Sequence, residues 1–187
     1  MSQPLHPDAR NLEEEFFLAE NRRLLDKLRA KEELAEKRQM LREVLGIQDD
    51  ELVDHLNRLG IEPETALALS LVPLAVVAWS DGSISDKERE AILKAATEHG
   101  VAADSSARTL LESWLETQPS PGLINAWKRY ARTLWESCTE VQRTEVRDSL
   151  IGGARKVAEA SGGFLGLGKK VSAQEQATLD DLESVLS

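Results

Sequence analysis

Residues 62–91 read EPETALALSLVPLAVVAWSDGSISDKEREA, and the part up to Trp79 decides the fold. Apolar side chains fall on nearly every face of this stretch if it is helical, so no face is left for water. The run is shorter than the roughly 20 residues a bilayer crossing needs, and Pro73 interrupts it. The expectation is a buried central helix, opened by Pro63 in its first turn and kinked or broken near Pro73.

The chain on either side must then cover this segment. Downstream, a turn at SDGS leads into a helix ending at Gly100. Ala103 to Gln118 predicts another, with Leu110, Leu111, Trp114 and Leu115 as its apolar stripe. Pro119-Ser120-Pro121-Gly122 reads as a turn. Leu123 to Ser137, Thr139 to about Ala160, and a last helix from Ser172 follow, with a glycine-rich loop at Gly162 to Gly168. Upstream, Asp49-Asp50 starts a short helix that Gly60 ends. No run shows the period-2 alternation of a strand. The fold class expected is all-α: a compact bundle of about seven helices after a long N-terminal helical arm. The expected division is residues 1–60 for the arm and short helix and 61–187 for the helical domain.

The arm runs from about Asp8 to Leu45 without Pro or Gly. It is rich in strong helix formers and charged in both signs. Phe16-Phe17-Leu18, beside Glu13-Glu14-Glu15, is costly to leave in water. That cluster is the expected surface for self-association, giving a homo-oligomer through the arm, or for docking a protein partner.

Composition narrows the function classes. The chain has 187 residues, with 23 basic and 33 acidic side chains and a net charge of −10. That balance argues against a general nucleic-acid binder, which needs clustered Lys and Arg for phosphates. One cysteine, Cys138, excludes an internal disulfide and a cysteine-based zinc site. The opening MSQPLHPDARNLEEE has no apolar core of a secretory signal, so a cytoplasmic location is expected. His6, His55 and His99 do not cluster with acids at ligand spacing, and no Ser/His/Asp arrangement stands out, so no enzyme is expected.

Two corners echo each other. Trp79-Ser80-Asp81-Gly82-Ser83-Ile84-Ser85-Asp86-Lys87-Glu88 leads from one helix to the next, and Gly168-Lys169-Lys170-Val171-Ser172-Ala173-Gln174-Glu175 does the same later. Each ends in Ser-x-x-Glu, the capping-box pattern. The first also matches the back half of a calcium loop, with Asp81, Asp86 and Glu88 as metal ligands. Its front half falls on Val77 and Trp79, which have no side-chain oxygen. A capped turn and a divalent-cation site therefore both stand as readings of these residues. In the second corner Gly168 and two lysines replace the acid, so no cation is expected there.

AWSDGSISDKEREAI resembles the hallmark turn of the TerB-like, tellurite-resistance family, in which an apolar helix runs into A-x-A-D-G-x-(I/V)-x-x-x-E. VAEASGGFLGLGKKVSAQEQATL is similar to the pseudo-repeat of that fold. The resemblance covers about residues 62–187. It implies two related helical hairpins in one bundle, and a scaffold role in stress or tellurite-resistance pathways beside membrane proteins or co-chaperones. It also implies metal binding through acids near the turn, here Asp81, Asp86 and Glu88. The function expected is a non-enzymatic interaction module; the alternative is a divalent-metal sensor or resistance protein.

One look-alike resembles a nucleotide site. Gly163 to Lys170 nearly spells a phosphate-binding loop, but lacks the preceding strand and the hydroxyl. Phe164, Leu165 and Leu167 are expected to fold onto the bundle, the alternative being a contact point for a membrane or partner helped by Lys169 and Lys170.

Overall fold

The computed structural model describes residues 7–98, 100–155, 158 and 171–187, with side chains from Glu14 onward except Lys87. Among these residues there are helices and no strand, so the protein is all-α. The chain forms two compact units, Met1–Gln39 and Met40–Ser187.

The first unit holds most of α1 (Pro7–Leu45). Helix formers fill it, and no Pro or Gly interrupts it after Pro7. Its apolar side chains stay in solvent: Phe16, Phe17, Leu18, Leu24, Leu25 and Leu28 are 48% to 65% exposed.

The second unit is the bundle, and it begins earlier than residue 61. Leu41 and Leu45 at the end of α1, Ile47 in the following turn, and Leu52, Val53 and Leu56 of α2 (Asp50–Arg58) are at most 4% exposed. α2 packs against α6 (Pro121–Ser137). The expected boundary at 60/61 is thus corrected to Met40. Gly60 looks like a domain border because it ends a helix with φ 84°. It only turns the chain between two elements of one core.

The apolar stretch lies in that core, as its composition demands. It is not one helix. A 3-10 segment, Pro63–Leu71, is joined to α3 (Val72–Ala78). Pro73 has no amide hydrogen, and its ring would collide with the Leu69 carbonyl one α-turn back. The backbone ahead of it therefore tightens to 3-10, and Pro73 sits in the first turn of a fresh α-helix, where no amide is needed. α3 is central: it touches the 3-10 segment, α4 (Asp86–Glu98), α5 (Ser106–Glu116), α6 and the C-terminal α8 (Ala173–Glu183). Among the described residues no single helix is long and apolar enough to cross a membrane.

Three helices differ in their bounds from the expected ones: α5 is shorter than Ala103 to Gln118 at both ends, since Ser105 caps it by accepting the Arg108 amide at 3.2 Å. α6 begins at Pro121, because Ser120 caps it by accepting the Leu123 amide at 3.2 Å and proline suits the first helical position. α7 (Glu140–Arg147) does not run on unbroken; it widens into a π segment, Asp148–Gly152, before helical residues 153–155.

Candidate functional site: the acidic corner, the arm and an apolar groove

The acidic corner is built from α3, a turn and α4. The Trp79 indole donates to the Trp114 carbonyl at 2.8 Å, fixing the end of α3 against α5. The Gly82 amide then donates to the Trp79 carbonyl, and Gly82 takes φ 90°, a left-handed backbone that costs a side-chain-bearing residue about 1–2 kcal/mol. The Asp81 carboxylate accepts the Ser83 amide at 3.0 Å, closing a side-chain turn. Ile84 packs on the core. The Ser85 hydroxyl accepts the Glu88 amide at 3.3 Å, and Glu88 takes the Ser85 amide at 2.8 Å and its hydroxyl at 2.6 Å. This is the reciprocal capping box.

The same box recurs at α8. The Ser172 amide donates to Glu175 at 2.7 Å, and the Glu175 amide to the Ser172 hydroxyl at 3.1 Å. Both serines stand at helix starts, as the pattern requires. The chain between the corners from 159 to 170, with Phe164, Leu165, Leu167, Gly168, Lys169 and Lys170, lies outside the described residues, as do His6 and His99.

The structure does not assemble Asp81, Asp86 and Glu88 as a ligand set. Asp81 serves its turn, Glu88 serves the cap, and Asp86 is an exposed first-turn residue of α4, where a carboxylate suits the helix dipole. Among the described residues no group of three or more His, Cys, Asp or Glu is placed to hold a metal ion. The pattern that resembles half a calcium loop is satisfied locally by backbone amides and a hydroxyl.

The tryptophans divide. Trp114 and Trp127 are core residues. Trp127 is fully buried, and its indole N–H has no hydrogen-bond partner among the described residues. Trp135 is half-buried, with the Arg143 and Arg147 guanidinium carbons 5.2 and 5.1 Å from its ring centre. Cys138 is half-buried just after α6, and His55 is half-buried on α2.

The bundle also holds an apolar groove that no sequence motif announces. It encloses about 320 Å³ between the end of α1 (Val44), the 3-10 segment (Leu67, Ser70), α6 (Tyr130, Leu134) and Val146 of α7. Burial pushes the Tyr130 phenol up from its ordinary range. The only polar side chains in the lining are the hydroxyls of Ser70, Tyr130 and Ser149, so it offers a surface for apolar groups rather than acid–base chemistry. No sequence signal marks it: Leu67, exposed at its edge, reads in the sequence as one more core leucine of the most apolar stretch.

On α1 the apolar residues named in the sequence reading lie together in solvent. The Phe16 and Phe17 rings meet edge to face, with centres 6.0 Å apart. Compared with protein families, curated proteins and solved structures, the chain finds no match.

Proposed function

We propose that this chain is a non-enzymatic interaction module of TerB-like type, which docks a protein partner through its N-terminal helix while the bundle serves as a rigid base. The carrying observation is the exposed apolar cluster of α1: six large hydrophobic side chains within Phe16–Leu28, all about half or more exposed, five of which (Phe17, Leu18, Leu24, Leu25 and Leu28) fall by helical spacing on one face. A monomer gains nothing by keeping such a face in water, and grouped exposure of this kind marks contact surfaces. The TerB-like part of the reading rests on the resemblance of residues 78–92 to that family's turn. The divalent-metal alternative has no gathered ligand set to support it among the described residues.

The test is affinity capture from the native host with the full chain and with a Phe17→Ser/Leu24→Ser/Leu28→Ser variant. The wild type is expected to retain a defined protein partner, which includes further copies of itself, and the variant to lose it. Identical recovery by both chains would overturn the reading. Circular dichroism of the variant shows whether its bundle is still folded.

A further inference from the structure

The docking surface just proposed leaves its occupant open, and the charge pattern along α1 chooses one. Glu14, Phe17, Asn21, Leu24, Leu28 and Lys31 follow one another at alternating spacings of three and four. That spacing brings them onto one stripe of the helix. Leu18 and Leu25 flank the stripe on one side; Glu20 and Lys27 flank it on the other. Phe17, Leu18, Leu24, Leu25 and Leu28 are all exposed.

We propose that this stripe pairs with the same stripe of a second copy, running antiparallel. The proposal rests on the reading of α1 as a docking helix and names its partner. In this register Phe17 of one copy meets Leu28 of the other, and Asn21 meets Leu24. Glu14 of one copy closes each end of the seam against Lys31 of the other. Along one flank Leu18 faces Leu25; along the other Glu20 faces Lys27. Every contact occurs twice, as a two-fold interface requires. Each charged residue of the stripe meets an opposite charge, and each flanking leucine meets a leucine.

The parallel alternative fails on the same residues. In parallel register each seam position meets its own copy, so Glu14 would stack on Glu14 and Lys31 on Lys31. Glu20 would face Leu25 instead of a cation. Like charges in a seam weaken pairing and select against that orientation.

Charge exchange on the full chain, read by sedimentation equilibrium over about 1–500 μM, tests this. Wild type is expected to dimerise within that range. Glu20→Lys sets a lysine against Lys27 twice per dimer, and Lys27→Glu sets a glutamate against Glu20 twice; each is expected to raise the dissociation constant about tenfold. The double variant Glu20→Lys/Lys27→Glu restores opposite charges and is expected to recover most of the loss. The weak pair that Glu20 makes with Arg23 within its own helix, at 3.6 Å, is absent from the Glu20→Lys variant and from the double variant alike, so recovery reports contact between copies. A chain that stays monomeric throughout, or a double variant no tighter than the singles, would overturn the antiparallel pairing. If the purified chain is monomeric yet the capture experiment still loses a partner with the Phe17 variant, α1 docks a different protein. The interaction reading would then survive and this inference would not.

Discussion

Asp49 does two things at the start of α2. Its carboxylate accepts the Leu52 amide at 3.0 Å, capping the helix, and lies 2.5 Å from the Arg129 guanidinium of α6. Burial pushes the Asp49 carboxyl up, but the Leu52 amide and the arginine outweigh it and hold it below 3.8. A carboxyl lowered in the folded state contributes stability above its unfolded value, and that contribution fades as pH falls through the lower folded value. Asp49→Ala is therefore expected to cost about 1 kcal/mol at pH 7 in urea unfolding. The gap to wild type should narrow below pH 3.8. Asp49→Asn, which keeps an acceptor for the cap, should cost less. An equal gap at neutral and acid pH would mean that the charge does nothing. At this scale the sequence is readable wherever the physics is local. Asp49, Ser85 and Ser172 announce helix starts, because a cap needs only its own next three residues. Arg129 cannot be foreseen as the partner of Asp49, since nothing local records an approach between residues so far apart in the chain. The acidic corner is ambiguous for a related reason: aspartate, glycine and glutamate at those spacings serve a capped turn as well as a cation loop, and the hydrogen bonds of the turn are not written in the spacing.

At the scale of elements, patterns find the helices and, at Pro73, the place of a break, but not the form the interruption takes. The apolar content of residues 63–78 locates the core segment, because burial follows composition. The 3-10 stretch ahead of Pro73 is not legible, since proline states where an α-helix cannot continue but not what replaces it. The π segment at Asp148–Gly152 leaves no mark in the periodicity of so short a run. α2 shows how far the effect of a short element can reach. On its own, nine residues are too few to hold a helix in water. It persists because Leu52, Val53 and Leu56 are inserted in the bundle. Leu56→Ala removes a fully buried side chain and is expected to cost about 2–5 kcal/mol, with the unfolding transition remaining a single step. A loss under about 0.5 kcal/mol, as for a surface substitution, would return α2 to the arm.

For the whole molecule, the question is where the bundle starts, and the expected border at residue 60 follows from the glycine that ends α2 and from the TerB-like resemblance, which opens just after it. The glycine marks the end of a helix, and a helix end is not a domain end when the elements on both sides share one core. The arm misleads in the same way: its charged sequence reads as continuous to Leu45, yet Leu41 and Leu45 are buried and Met40 opens the second unit. Two truncations separate these positions. A chain beginning at Met40 keeps every buried side chain of the bundle and should unfold cooperatively with a midpoint close to that of the full protein. A chain beginning at Gly46 lacks Leu41 and Leu45, and loss of two buried leucines is worth about 4–10 kcal/mol before relaxation. That is comparable to the entire stability of a domain of this size. The shorter chain should therefore be largely unfolded, or lose its near-ultraviolet dichroism while keeping helix content. Equal stability of the two truncations would show that the end of α1 only rests on the bundle. The bundle would then be complete without it.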